Sequence, residues 1–307
     1  MGTYLVTGGC GFIGSHLVDA LCSGGNSVRI LDDLSTGRLD YKPSGVEFIL
    51  GDIAEARMVA EAMQGVEGCF HLAAVASVER GSLDWLGTHR TNLTGTVTVF
   101  DAARRVGRKG PIPVVFASSA AVYGDGSGFP LCEDVALQPL SAYGADKLGC
   151  ELHGFVASRV HRVPTCGLRF FNVYGPRQDP NSPYSGVISI FCNRLKAGLG
   201  ITVFGDGHQT RDFIYVGDAV RALQAAMDHC SLAGDIFNVC TGTVTKIRDL
   251  AKIIGEVLGT KPDIAFGPPR EAEIRMSLGD PSKAWRLLGF TAETPLAAGL
   301  KRTLAAN

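Results

Sequence analysis

Short apolar runs alternate with amphipathic segments through the first half of the chain. Runs typical of buried strands occupy residues 3–7, 27–32, 47–50, 68–72, 114–118 and 165–169. Segments with apolar positions at helical spacing occupy residues 12–23, 54–64, 83–106 and 143–162. Strands and helices that alternate in this way predict an α/β fold with a doubly wound parallel sheet, because each helix returns the chain to the same end of the sheet.

The pattern changes after Pro176. Residues 177–183 are rich in turn-forming residues, and the later helices and strands alternate less regularly. We therefore predict a first domain over residues 1–175 and a smaller, mixed α/β lobe over residues 176–307. Two short apolar segments within residues 213–240 are predicted to return to the first domain.

Composition narrows the classes of partner. The 307 residues carry a net charge of -1 and no run of like charges, which disfavours nucleic acid as a partner. No stretch approaches the roughly 18 apolar residues of a membrane span, so we expect a soluble, cytoplasmic protein that binds small molecules. Nine cysteines without a Cys-x-x-Cys pair indicate buried thiols, with neither a disulfide framework nor a metal site.

A glycine-rich turn follows the first predicted strand and opens the first predicted helix. Its glycines are Gly8, Gly11 and Gly14, and Phe12 and Ile13 lie between the last two. The first glycine permits a tight turn, the second lets the backbone approach a pyrophosphate, and the third allows close packing of helix on strand. The spacing Gly-x-x-Gly-x-x-Gly therefore indicates a dinucleotide site of the Rossmann type.

A carboxylate ends the second predicted strand. Asp32 lies eighteen residues after Gly14, where it would accept hydrogen bonds from the hydroxyls of an adenosine ribose, and Asp33 follows it. A 2'-phosphate would meet like charge there, so the sequence favours NAD over NADP. Arg38 leaves a phosphate contact open, and a plain loop-capping role for the two aspartates is the alternative.

Two later strand ends also fit a dinucleotide. After the third strand, Asp52 and Ile53 suit the amino group and the face of an adenine, although an aspartate here is equally suited to cap a helix. The fourth strand ends in the small or apolar residues Leu72, Ala73 and Ala74, which would let a cofactor pass closely. Small residues are common at strand ends for other reasons as well.

The candidate chemistry lies in the second half of the first domain. Tyr143 and Lys147 are four residues apart on a predicted helix, so their side chains share one face. A nearby ammonium favours the phenolate form of a tyrosine, which makes Tyr143 a candidate general base. Ser119, at the end of a central strand, would hold the reacting hydroxyl, and Lys147 would also bond the ribose of a nicotinamide.

Eight segments spread over most of the chain carry a family resemblance. They are TGGCGFIG at 7–14, LDDL at 31–34, GDI at 51–53, HLAA at 71–74, SSAAVYG at 118–124, YGADK at 143–147, FNVYGPR at 171–177, and GDG with TRDF within 205–213. The chain resembles the extended short-chain dehydrogenase/reductase family and, within it, the nucleotide-sugar epimerases of the UDP-glucose 4-epimerase type.

The resemblance implies a mechanism and a set of binding residues. The tyrosine takes a proton from the sugar 4-hydroxyl while hydride passes to NAD, the 4-keto sugar turns over, and hydride returns to its other face. No net oxidation occurs, so NAD is expected to remain bound. Residues implied to contact the UDP-sugar, besides Ser119 and Tyr143, are Asn172, Thr202, Phe204, Arg211, Arg270 and Glu273.

Departures within the family motifs separate related reactions. Sugar dehydratases of this family carry an acidic pair where this chain has Ala120 and Ala121, so dehydration is not expected. Many relatives have a threonine at the position of Ala121 and an aspartate at that of Glu273. Ser277 stands where enzymes restricted to glucose and galactose tend to have a bulky residue. A small side chain there predicts that N-acetylhexosamines are accepted.

Two alternatives remain open. An NAD(P)H-dependent 4-ketoreductase would use the same Ser119, Tyr143 and Lys147 and would consume its cofactor. A non-enzymatic dinucleotide sensor is disfavoured because all three of these residues are present.

The resemblance also implies a homodimer formed through the helical segment around residues 88–106 and the helix that starts at Tyr143, whose apolar residues recur at helical spacing. Packing within one subunit would give the same stripe.

Overall fold

The structure is a computed structural model that describes residues 2–106, 110–126, 128–180, 186–269 and 274–306. Its strands are β1 Thr3–Thr7, β2 Ser27–Asp32, β3 Glu47–Leu50, β4 Gly68–His71, β5 Val114–Ser119, β6 Thr165–Phe170, β7 Asn172–Tyr174, β8 Ile201–Phe204, β9 Thr210–Arg211, β10 Phe213–Tyr215, β11 Asp235–Val239, β12 Thr245–Lys246 and β13 Ile264–Gly267.

The α-helices follow the sequence pattern closely in the first half of the chain. They are α1 Phe12–Ser23, α2 Ala56–Ala62, α3 Val78–Leu83, α4 Trp85–His89, α5 Gly95–Val106, α6 Ala142–Arg159, α7 Val187–Lys196, α8 Val216–His229, α9 Ile247–Leu258, α10 Ser282–Leu288 and α11 Leu296–Ala306. Short 3₁₀ turns occupy Leu39–Tyr41 and Ala120–Tyr123.

Seven strands form one parallel sheet in the order β3-β2-β1-β4-β5-β6-β11. Helices α1 and α8 pack on one face around Leu17, Ile30 and Phe237. The other face is covered by α2, α5 and α6 around Val59 and Phe116. This arrangement confirms the predicted doubly wound α/β fold.

The helix predicted over residues 83–106 is interrupted. A π-helical turn, Arg90–Thr94, separates α4 from α5. Within this turn the side chain of Asn92 accepts a hydrogen bond from the backbone N–H of Val75 (2.8 Å) and donates one to its carbonyl (3.2 Å). Such single-turn bulges are found mostly at functional sites, and this one fixes the loop that follows β4.

The remaining strands form three small sheets. β8 pairs with β13 in parallel, β9 with β12 in antiparallel, and β7 with β10 in parallel. Helices α7, α9 and α11 pack together around Phe191, Leu250 and Leu300. Of the segment expected to return to the first domain, β11 joins the edge of the main sheet beside β6, whereas β10 pairs with β7.

Candidate active site

A cavity of about 450 Å³ opens at the carboxyl ends of the central strands. Predicted residues that line it are Gly8, Gly11, Phe12, Ile13, Gly14, Asp32, Asp33, Ile53, Leu72, Ala73, Ala74, Ser119, Tyr143, Lys147 and Asn172. Ligands of open α/β sheets bind at this edge. The structure therefore brings the predicted dinucleotide residues and the predicted catalytic residues into one space.

The glycine turn leaves no room for side chains at two positions. Gly8 has φ +70°, and a Cβ there would lie 2.7 Å from the backbone nitrogen of Ala73. A Cβ at Gly14 would lie 2.0 Å from the carbonyl oxygen of Gly8. The first turn of α1 therefore packs directly on β1. No side chain caps its N-terminus and no acidic residue lies in its first turn, so its N–H groups suit an anion.

Asp32 is buried at the end of β2 and shapes the turns around it. Its carboxylate accepts hydrogen bonds from the backbone N–H groups of Cys10 and Leu34, both at 2.9 Å. Burial raises the pKa of this carboxyl, whereas these two hydrogen bonds act in the opposite direction. A carboxylate offers about four acceptor positions, so two remain for ribose hydroxyls. Asp33 is exposed and bonds Ser35.

The predicted adenine residues separate. Ile53 lines the cavity, but Asp52 does not. One oxygen of Asp52 accepts the backbone N–H of Ala54 (2.8 Å) just before α2, and the other pairs with Arg90. The N-cap of α2 is Glu55, with no side-chain hydrogen bond, so Asp52 does not cap that helix either; it closes the turn before α2 and pairs with Arg90.

A neutral hydrogen-bond chain holds the loop after β4. The ring of His71 lies between the hydroxyls of Thr7 (2.7 Å) and Thr96 (2.9 Å), and Thr96 donates to the carbonyl of Asn92. Because the hydroxyl proton of Thr96 is used in the hydrogen bond to Asn92, the Thr96 oxygen accepts from Nε2–H of His71. The other ring nitrogen, Nδ1, accepts from the hydroxyl of Thr7. Complete burial lowers the pKa of His71 to about 3, with a smaller contribution from Lys147, so the ring is uncharged.

The predicted catalytic residues meet at the end of β5. Lys147 is buried and its ammonium donates to the carbonyl of Ala117 (2.8 Å), which places the nitrogen 5.9 Å from the centre of the Tyr143 ring. Ser119 accepts the backbone N–H of Ala121 (3.1 Å) and keeps its own hydroxyl proton for a ligand. A serine, a tyrosine and a lysine in one cavity provide a hydroxyl donor, a candidate base and a cation.

The residues assigned to the UDP-sugar are only partly brought together. Asn172 lines the cavity, and its backbone N–H is held by the carbonyl of Asp212 (3.0 Å). Arg211 donates to the carbonyl of Ile274 (2.8 Å), and Ser277 donates its backbone N–H to the carbonyl of Thr210. Thr202 and Phe204 lie on β8. Arg270 and Glu273 fall outside the described residues.

Several residues of the cavity wall escaped the sequence analysis. Arg80, Thr91 and Gln178 carry no motif that would have identified them, whereas Ser35 and Thr36 follow the paired aspartates after one residue and were a usable signal. Within the described residues, the guanidinium of Arg80 has no hydrogen-bond or ion-pair partner. The wall therefore offers one further free cation to an anionic ligand.

Known proteins share this arrangement. The sequence model of the NAD dependent epimerase/dehydratase family matches residues 4–240. A UDP-glucose 4-epimerase of Mycolicibacterium smegmatis is 38% identical, over 98% of this chain and 96% of that protein. The UDP-glucose 4-epimerase of Thermotoga maritima, solved with UDP-glucose, superposes with a TM-score of 0.93 at 34% identity, covering 99% and 98% of the two chains.

Relatives with other substrates are similar as well. A UDP-N-acetylglucosamine 4-epimerase of Methanobrevibacter ruminantium has a TM-score of 0.93 at 34% identity, covering 99% and 97% of the chains. A UDP-glucuronic acid decarboxylase of Xenopus tropicalis is 31% identical over 98% of this chain and 70% of that protein.

No helix in the described ranges is long and apolar enough to span a bilayer.

The family match covers most of the chain, and the relatives match nearly its whole length. The uncapped start of α1, the buried Asp32 and the glycine turn suit NAD, the cofactor of that family. The chain belongs to the NAD-dependent epimerase/dehydratase family, as an enzyme of the UDP-glucose 4-epimerase type.

Proposed function

We propose that the protein interconverts the C4 epimers of a UDP-hexose. Its primary substrates are proposed to be UDP-glucose and UDP-galactose. The observation that carries this proposal is the shared cavity, which is lined by the glycine turn, by Ser119, Tyr143 and Lys147, and by Asn172. NAD, when bound, supplies reversible oxidation at C4 of the sugar. Every other task falls to side chains of this chain.

The roles of these side chains follow from their contacts. Tyr143 removes the proton of the 4-hydroxyl and later returns it, and Ser119 orients that hydroxyl with its free proton. Lys147, fixed by the carbonyl of Ala117, places its positive charge beside the ring of Tyr143. The keto sugar must turn over in the cavity before it is reduced on its other face.

N-acetylated hexoses are proposed as further substrates. Ser277 donates its backbone N–H to the carbonyl of Thr210, the residue before Arg211, and its side chain is smaller than the bulky residue of enzymes restricted to glucose and galactose. The similarity to a UDP-N-acetylglucosamine 4-epimerase supports the same substrate class. Arg211, Arg270 and Glu273 are proposed to hold the nucleotide part.

The protein is also proposed to act as a homodimer. Leu152 and Phe155 of α6 are 63% and 51% exposed, Val160 directly after this helix is 66% exposed, and Val97 of α5 is 36% exposed. An apolar stripe of this kind on two neighbouring helices is suited to a second copy of the chain.

The deciding experiment follows anomeric signals by proton NMR. Purified protein without added cofactor is incubated separately with UDP-galactose and UDP-N-acetylgalactosamine. The gluco epimer is expected to appear in both, and Tyr143→Phe, which keeps the ring and removes the hydroxyl, is expected to reduce kcat by about 10²–10⁴.

The controls separate the parts of the proposal. Ser277→Tyr is expected to slow the acetylated sugar selectively, and equal losses on both sugars would refute the specificity role. If neither sugar changes even with added NAD, epimerisation is wrong, and turnover of a 4-keto sugar with consumption of NADH would identify a 4-ketoreductase instead.

A further inference from the structure

A buried ion pair lies next to the catalytic helix. Glu151 of α6 and Arg169 of β6 have side chains that are 5% and 4% exposed. The guanidinium contacts both carboxylate oxygens, Nε to Oε1 at 2.9 Å and Nη2 to Oε2 at 2.7 Å. This bidentate geometry is the strongest that the two groups form.

The third nitrogen of Arg169 is also bonded. Its Nη1 donates to the hydroxyl of Tyr123 (2.9 Å) and to the carbonyl of Glu133 (3.1 Å), and Tyr123 donates to Asn238 (2.7 Å). Replacing a buried ion pair by apolar residues of similar volume is often neutral or stabilising. Stability alone therefore does not explain why the protein has this ion pair. Its position in the fold suggests a different role.

That position is one helical turn beyond Lys147. Lys147 and Glu151 are four residues apart on α6 and reach two successive residues of β5. The ammonium of Lys147 donates to the carbonyl of Ala117, and Glu151 accepts the hydroxyl of Ser118. Ser118 and Arg169 are partners in the β5–β6 register, so Glu151 bridges both strands immediately before Ser119.

The charges of the pair cancel. Among the described residues, no carboxylate lies within ion-pair distance of Lys147, so its charge is left to act on Tyr143. An unpaired Glu151 would compete for that charge, and an unpaired Arg169 would add to it.

We propose that Glu151 and Arg169 are positioning residues for the reaction, which clamp α6 onto the end of β5 and leave Lys147 as the uncompensated charge beside Tyr143. The inference rests on the roles of Tyr143 and Lys147 proposed above. It assigns the pair no contact with substrate or cofactor.

Other charged groups face the same helix. Asp146 of α6 is paired with His89 of α4 (2.7 Å), and Arg80 of α3 lines the cavity. His71 of β4 is buried and uncharged, and burial raises the pKa of Glu133, which accepts the backbone N–H of Asn238. The charge of Arg169 also lowers the pKa of Glu133. Glu151→Gln keeps that charge, so it is the variant that isolates the carboxylate of the ion pair.

The test is the pH dependence of epimerisation in the holoenzyme with UDP-galactose. Arg169→Met leaves the negative charge of Glu151 unpaired, and the acid limb of kcat/KM is expected to move to higher pH. Glu151→Gln leaves Arg169 unpaired, and the limb is expected to move to lower pH. The double variant removes both charges and is expected to restore the wild-type midpoint.

A displaced catalytic helix is expected to reduce kcat by about tenfold or more while KM stays within about twofold, since small misplacements at a reacting centre are costly. Asp218→Asn is the matched control. Asp218 is a buried carboxylate, 3% exposed, paired with Arg221 on α8, and its loss is expected to lower Tm without moving the pH profile.

Shifts in the same direction, or unchanged profiles in both folded single variants, would overturn the inference. Should a single variant fail to fold, Ser118→Ala keeps both charges and removes the hydroxyl that joins strand and helix, at a residue that also lines the cavity. It is expected to lower kcat severalfold at constant KM, and an unchanged kcat would count against the clamp. An inactive wild-type protein would instead contradict the proposed function.

Discussion

The two walls of the cavity are built from different interactions. The cofactor wall, formed by the glycine turn and the loop after β4, is held by backbone contact at Gly14 and by the uncharged ring of His71. The catalytic wall, formed by the end of β5 with α6 and β6, is held by Lys147 and by the Glu151–Arg169 pair.

The difference shows what each wall tolerates. Close packing of backbone on backbone leaves no space for an added atom, so the cofactor wall is sensitive to volume. Buried charges need their partners, so the catalytic wall is sensitive to the removal of one charge. The outer surfaces differ as well, because Leu152 and Phe155 of α6 are exposed, whereas α1, every residue of which is described, has no exposed large apolar side chain.

The largest effect is expected from Gly14→Ala. Its new methyl group would lie 2.0 Å from the carbonyl oxygen of Gly8, which forces α1 away from β1. The free energy of unfolding is expected to fall by about 1–3 kcal/mol, and NAD is expected to be lost on purification, as measured by denaturant titration and by absorbance at 260 nm. Gly24→Ala, at the other end of α1, is the control, because its methyl group meets only ordinary contacts from 3.4 Å.

A smaller effect concerns pH and the uncharged ring of the cofactor wall. Unfolded histidine takes up a proton near pH 6.5, whereas burial lowers the pKa of folded His71 to about 3. Its contribution to stability is thus complete above about pH 6.5 and is lost as the pH falls towards 3. His71→Gln is expected to reduce the slope of unfolding free energy against pH in this window by about one proton. An unchanged slope would show that the ring is charged or exposed.

The substitution expected to disturb the fold of the subunit least is Leu152→Glu, on the outer face of the catalytic wall. Leu152 is 63% exposed, so Leu152→Glu removes no internal packing. Sedimentation velocity is expected to change from dimer to monomer, with the circular dichroism spectrum unaltered. Leu287→Glu on α10, which replaces a 50% exposed leucine, is expected to remain dimeric. A wild-type protein that sediments as a monomer at micromolar concentration would contradict the proposed interface.

The sequence was sufficient for the sheet, the glycine turn and the place of Asp32 because their signals are local, but it did not show that Asp52 lies outside the cavity or that Arg80 lines it. Gly8, Gly14 and Asp32 belong to one strand-turn-helix-strand unit, and period and spacing determine where they lie. Tyr143 and Lys147 were identified in the same way, by helical spacing. Glu151 follows Lys147 by four residues on the same helix, but its partner Arg169 lies on strand β6. No local sequence pattern connects Glu151 with Arg169.

The C-terminal lobe was less predictable. Its sheets have two strands each and pair segments far apart in sequence, such as β8 with β13. Short strands of this kind depend on tertiary packing more than on their own residues. For the same reason the sequence placed Ser277 and Arg211 in the lobe without showing that the segment from Ile274 to Ser277 lies against Thr210 and Arg211.

The return of β11 to the edge of the main sheet has a consequence for biosynthesis. Strand β11, which pairs with β6 on the side away from β5, is not complete until residue 239 has left the ribosome. The growing chain therefore carries an incomplete sheet while much of the lobe is synthesised. Until then the hydrogen-bonding edge of β6 and the apolar face later covered by α8 are open to other chains. A fragment that stops at residue 175 would keep that exposed state permanently.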